Sequence, residues 1–407
     1  MRLTKNKILY KLAVLFFVFV FLNDTTVYNV YFDDISRLIL ITAVFFAFVF
    51  IFVSRRFRIN NRFILFVLFW FICTLIPCVL AGLTRFYFVR ICYWILTMIV
   101  VLGIHTEKLD IKRIIYDVCK VFCVWCLICY FYTSLDLHFL PVTNVSSQLA
   151  YNWYSVKLHG YLVSNNISHI FLPVVGSLYR LDRPFGEPGI AQIFMNYGII
   201  YNLFFIDKGK RQKVWIVLFV LGTVLSFSLI GYLILLVIMF VKLYRDKNYG
   251  LMILCSVFAV FIGMIMIIEK LASYSYGDRI SDFSFMFKTI IQSFPFGIGI
   301  GHTGELEHVV LENGSTSIGF YCGLLYPLAQ YGVFGLVYYW ALFKALKSIA
   351  DQDVRRDRKF ANLAFAAFIL LTLLTEPQAD EPLILCFVFE GLLMYFENKH
   401  LKQGENR

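Results

Sequence analysis

The sequence predicts an all-α, polytopic integral membrane protein of about 12 transmembrane helices with two large extracytoplasmic loops. Three observations carry that prediction. Of 407 residues, 60% are hydrophobic and only 15% charged, with mean hydropathy +0.75. Ordinary soluble domains are roughly 45–50% apolar and about 25% charged. The apolar residues fall in long continuous runs, which excludes an alternating β-barrel pattern. Lys and Arg fall in every second connecting segment, which fixes a topology.

A spanning helix needs roughly 20 apolar residues. Twelve segments qualify in order: 8–22, 35–53, 63–82, 86–104, 114–134, 188–206, 214–228, 229–244, 250–268, 327–347, 359–376 and 381–397. The stretch 214–244 is too long for one span and short for two. Ser226 and Ser228 near its centre mark a tight turn, so two are expected. The first segment is not expected to be a cleaved signal peptide, because no A-x-A-like site follows it.

One alternate set of connections reads RLTKNK, SRRFRINNR, HTEKLDIKR, DKGKRQK, KLYRDKN, SIADQDVRRDRK and ENKHLKQGENR. The other set is poor in Lys and Arg or acidic, as in EPQADEP. Cytoplasmic loops carry the excess of basic residues. Both termini are therefore expected in the cytoplasm, with loops 136–187 and 269–326 outside. The whole chain, 1–407, reads as a single transmembrane domain. The formal net charge of +11 is a topology signal, and no nucleic-acid partner is expected.

The ten cysteines lie nearly all inside apolar segments and imply no disulfide framework. Cys119, Cys123, Cys126 and Cys129 share one helical face. No His or carboxylate joins them, so packing is the expected role.

Loops as long as 136–187 and 269–326 are usually functional. The first ends in YRLDRPFGEPGIAQIFMNYG. Gly186 permits a bend, Pro188 suits the first turn of a helix, and Glu187 sits where the helix dipole favours a carboxylate. Arg180 and Arg183 stand just before that helix, and guanidinium forks suit phosphate oxygens. The same residues also read as a capped helix start with a local Arg–Glu pair. The second loop carries an amphipathic stretch, 279–294, opened by Arg279, and then F-G-I-G-I-G-H. That glycine run resembles a phosphate-cradling loop but lacks the strand–helix context of one. His302 and His308, with Glu305 and Glu307, read as solvated loop residues, as metal ligands or as acid/base groups. Arg37 and Arg90 lie at the same outer edge, either snorkelling to headgroups or forming a basic pocket. Tyr151 and Trp153 are either interfacial aromatics or stacking platforms for sugar rings. Glu390 falls near mid-membrane and is expected to face the bundle interior.

Several short motifs carry a family likeness. Arg183-Pro-Phe-Gly186-Glu187-Pro188-Gly-Ile-Ala191 looks like R-x-x-G-x-x-E-P-S-x-x-A, shortened and with Gly189 for Ser. Pro295-Phe-Gly297-Ile-Gly299 looks like P-x-G-x-G after an Arg-led helix. Tyr331-Gly332-Val-Phe-Gly335 and Thr375-Glu376-Pro377 match the family's entry to one late span and exit from the next. The chain thereby resembles the Wzy-like O-antigen and capsular polysaccharide polymerases, within the wider O-antigen polymerase/ligase superfamily. Ser226-Phe-Ser228 departs from the Ser-Arg that many relatives carry.

The resemblance implies a metal-independent membrane glycosyltransferase without cofactor in the bacterial inner membrane. Its implied substrates are oligosaccharide repeat units on undecaprenyl diphosphate. A chain-length regulator and a flippase are implied partners, alongside membrane lipids. Arg183 and Arg279 would stabilise the departing diphosphate, with Arg180, Arg90 and Arg37 in support. Glu187, His302 and His308 are the candidate proton acceptors, and Tyr151 and Trp153 would touch sugar. A ligase of the same superfamily and a lipid-linked oligosaccharide flippase are the competing readings.

Overall fold

A computed structural model describes residues 2–24, 26, 33–54, 60–137, 139–149, 152–159, 163–164, 169–172, 176–206, 209–253, 274–300, 322–351, 356–376, 379 and 381–404. In chain order the helices are α1 (Arg2–Asp24), α2 (Asp33–Ser54), α3 (Asn61–Ala81), α4 (Arg85–Thr106) and α5 (Ile111–Ser134). Five short strands follow: β1 (Val142–Leu149), β2 (Asn152–His159), β3 (Val163–Ser164), β4 (His169–Leu172) and β5 (Gly176–Tyr179). Then come α6 (Pro188–Phe205), α7 (Lys210–Leu225), α8 (Leu229–Arg245) and α9 (Tyr274–Ser293). The last are α10 (Tyr326–Tyr331), a 3-10 turn (Gly332–Gly335), α11 (Leu336–Asp351), α12 (Arg356–Thr375) and α13 (Pro382–Gly404).

Helices thus cover eleven of the twelve expected apolar segments; most of 250–268 lies outside the described residues. Polar side chains start several of them. Asn60, Asp110, Thr84 and Ser228 each accept a backbone N–H from the first turn of α3, α5, α4 and α8, at 3.0, 3.2, 3.3 and 3.2 Å. Such caps satisfy donors that a helix leaves unmatched. Among the described residues, six helices are long and apolar enough to cross a membrane, the last running from Tyr326 to Asp351 through the 3-10 turn. Helix α2 presents Phe48 and Phe52 at 67% and 65% exposure, and α3 presents Leu65 and Ile72 at 66% and 56%. Rows of exposed apolar side chains on this scale suit lipid and not water. The protein is a membrane protein on that ground.

The first long loop is more ordered than its sequence suggests. β1 and β2 pair antiparallel from Val142↔His159 to Leu149↔Asn152, and β3 adds to β2 through Leu158↔Ser164 and His159↔Val163. β4 and β5 form a separate hairpin. Val, Ile, Tyr, Trp and Phe recur among polar residues there, a composition that favours strands. The polar alternates hide it from a hydropathy reading.

The chain falls into two compact units. The first comprises residues 1–53, 110–259 and 356–368. Its core is the inward face of α5, on which Cys119, Cys123, Cys126 and Cys129 are fully buried beside Phe122. Close helix approach comes from small residues, as in membrane bundles. A Cβ on Gly222 would meet Met195 Sδ at 2.8 Å, and one on Gly231 would meet Gln192 Cβ at 3.0 Å. Buried polar groups tie the same helices: Tyr116 donates to Asn202 Oδ1 at 3.0 Å, and Asn196 Nδ2 to Gly231 O at 3.1 Å.

The second unit comprises residues 54–109, 260–355 and 369–407. Trp70 packs against Trp94, Tyr338 and Phe389, with centroids 5.8–6.0 Å apart. Gly391 of α13 lies against the backbone of Ala345 in α11. On α9, Met286 is buried, while Phe283, Phe287 and Ile291 form an exposed strip, as expected for its amphipathic pattern.

Candidate functional site

The first unit gathers the chemistry around the segment 180–188. Leu181 anchors it, its N–H bonding to Leu225 O at 2.8 Å. Next to that bond, α7 ends and α8 begins through Ser226, Phe227 (φ 45°) and Ser228, the tight turn expected from the two serines. Arg180 seals this turn. Its Nε donates to Ser226 O at 3.1 Å and its Nη2 to Phe227 O at 3.0 Å. A cation on the carbonyls at a helix end is favoured by the dipole as well as by the bonds. Arg180, expected to touch substrate, is thus placed on backbone carbonyls.

Asp182 and Arg183 turn inward, at 0% and 1% exposure. Charged residues are almost never buried this fully without compensation. Phe185 follows and stacks on Phe194 at 4.5 Å and against Phe122 at 4.9 Å, which pins the segment to α5 and α6. Gly186 adopts φ 82°, the bend expected of it, and a Cβ there would lie 3.7 Å from Arg183 Nη1. Glu187 occupies the N-cap of α6 with Pro188 at its first position, and its exposed side chain makes no capping bond. The polar N-terminal end of α6 therefore opens beside a buried guanidinium.

One buried group in this unit escaped the sequence reading. His159, at the end of β2, is 3% exposed and lies 4.8 Å from the ring of Tyr132. Its burial depends on β3 and α5, which only the tertiary fold brings to it. Trp153 lies in β2 opposite Gln148; its side chain and the whole of Tyr151 lie outside the described residues. Arg37 stands exposed in the first turns of α2.

In the second unit, Arg90 Nη1 pairs with Glu381 Oε2 at 2.9 Å, tying α4 to the start of α13. Glu390 Oε1 lies 3.1 Å from His105 Nδ1, while His105 Nε2 meets Glu397 Oε2 at 3.1 Å. The glycine run does not form a phosphate cradle over its described part. Gly297 N–H bonds to Ser293 O, Ile298 N–H to Ala329 O and Gly299 N–H to Gln330 O, at 2.9, 3.0 and 2.9 Å. Ile300 N–H reaches Cys78 Sγ at 3.3 Å. With these donors spent internally, the glycines serve a close backbone crossing. Gly297 has φ 77°, and a Cβ on it would come within 2.5 Å of Gln330 O and Gly332 N. Arg279 lies in α9 with its side chain outside the described residues, as do His302 and His308 entirely. Among the described residues, no cluster of three or more His, Cys, Asp or Glu side chains is placed to hold a metal ion.

The sequence matches no protein-family model, and no curated protein matches it significantly.

Proposed function

We propose that the chain is a multi-pass membrane glycosyltransferase that joins oligosaccharide repeat units carried on a lipid diphosphate. In this reading it spans the bacterial cytoplasmic membrane twelve times, with both termini inside. The observation that carries it is Arg183, a guanidinium withdrawn from water at 1% exposure, beneath the loop that the basic-residue pattern places outside. Away from bulk water such a group acts more strongly on developing negative charge and needs no reorganisation when the charge appears.

The reaction assigned to this site is a displacement at an anomeric carbon. The bond between the anomeric carbon and the carrier phosphate breaks, and its electron pair leaves with the diphosphate. A hydroxyl of the next repeat unit attacks that carbon and gives up its proton. Arg183 stabilises the departing diphosphate, and the N-terminus of α6 adds a partial positive charge close by. Aromatic and aliphatic helix faces accommodate the lipid tail.

Gene deletion with complementation tests the proposal, reading surface glycan length on a gel. The deletion strain should carry single repeat units, and the wild-type gene should restore a ladder. Arg183→Ala and Arg279→Ala should not restore it despite normal membrane abundance. Long chains in the deletion strain end the proposal. Unligated polymer there points to a ligase, and repeat units confined to the cytoplasmic leaflet point to a flippase.

A further inference from the structure

The first unit holds a second polar feature, at the corner where β2 meets β3. The register pairs His159 with Val163 and Leu158 with Ser164. His159 is 3% exposed and Ser164 fully buried. Neither ring nitrogen of His159, nor the hydroxyl of Ser164, has a hydrogen-bond partner among the described residues. A neutral imidazole offers one donor and one acceptor, and a hydroxyl offers both. Leaving all of them unmatched out of water is costly, and such groups in a native fold call for an explanation.

The surroundings narrow that explanation. Tyr132 lies against the imidazole at 4.8 Å, and its hydroxyl accepts the Leu140 N–H at 3.2 Å. One turn earlier on α5, Cys129 takes a hydrogen bond from the Ser164 backbone and lies within electrostatic reach of Asp182 and Arg183. Trp125 packs on the cluster of Cys129, Tyr132 and Val163. The groups placed around the corner are therefore a phenol and a thiol from α5; Asp182 and Arg183 lie near that thiol. Aromatic rings beside unspent donors and acceptors suit a saccharide, which has apolar C–H faces and a rim of hydroxyls.

We propose that His159 accepts the proton of the attacking sugar hydroxyl, and that Ser164 holds that hydroxyl beside it. The inference rests on the glycosyl-transfer reading above. The acceptor oxygen bonds to the anomeric carbon as the carbon–phosphate oxygen bond breaks. The electron pair goes to the diphosphate, stabilised by Arg183, and the hydroxyl proton goes to a bare ring nitrogen of His159. The imidazolium then gives that proton to the released diphosphate. Imidazole is the side chain fitted to take up and return a proton near neutral pH.

The test uses the full-length protein in liposomes with a lipid-diphosphate-linked repeat unit, scoring elongation rate. His159→Phe keeps a ring against Tyr132 and removes both nitrogens. It should reach wild-type abundance in the liposomes and elongate at least ~100-fold more slowly. His159→Ala should recover part of its rate when imidazole is added. Wild-type elongation by His159→Phe overturns the inference. Where His159→Phe inserts poorly, the imidazole arm decides: rescue supports the assignment and its absence overturns it. An inactive wild-type protein removes the glycosyl-transfer reading itself, whereas an active wild type beside an active His159→Phe removes only the role of His159.

Discussion

Replacing Arg180 by methionine separates a structural guanidinium from a substrate-binding one. The side chain spends Nε and Nη2 on Ser226 O and Phe227 O, at 3.1 and 3.0 Å. A hydrogen bond with a charged partner is worth about 1.5–3 kcal/mol, and a cation at a helix C-terminus adds about 0.3–1 kcal/mol. The arginine is partly exposed, so water recovers some of this for the released carbonyls, and the methionine retains the packing of the stem. A net loss of about 2–4 kcal/mol follows for Arg180→Met. Lysine presents one compact charge in place of a planar fork, so Arg180→Lys should cost roughly half as much. Thermal unfolding of the purified protein in detergent reads both, with Arg180→Met melting lowest. Unchanged melting in Arg180→Met together with lost glycan polymerisation would refute the reasoning and return Arg180 to the substrate.

Two further outcomes test the second unit. Gly391→Ala places a Cβ 2.6 Å from the Ala345 Cα and carbonyl oxygen, backbone atoms that can yield only if α11 and α13 part. An overpacking cost of about 1–3 kcal/mol should lower melting temperature and membrane yield, and wild-type melting would contradict the close approach. The Arg90–Glu381 pair is partly shielded, with side chains 21% and 13% exposed. Arg90→Met should cost about 1–3 kcal/mol, between the values for exposed and buried pairs. Adding Glu381→Gln should recover part of that loss, and strictly additive melting shifts would show that the two residues do not interact.

Local features were legible where one physical signal dominates. Gly186, Glu187 and Pro188 announce a bend and a helix start, and they form one. Ser226 and Ser228 announce a turn, and α7 and α8 meet there. The spacing of the α5 cysteines announces a shared face, and that face is buried. The expected roles of individual polar residues were less legible. Arg180 and Arg183 look equivalent in RLDR, yet one caps a turn while the other is enclosed. The glycines of residues 297–299 look like an anion loop until Ala329 and Gln330 arrive to take their N–H groups. His159 stands in a polar strand with no local sign that it is buried.

Alone, the chain's composition and hydropathy determined that it is a helical membrane protein and located most of the helices described. Those properties follow from the transfer of apolar side chains out of water and from backbone groups that must be satisfied within a segment. Tertiary structure decided which helices share a unit, that the first long loop pairs into strands, and which charged groups are enclosed. Each of these depends on partners distant in sequence, and a polar atom's role is set by what reaches it in space.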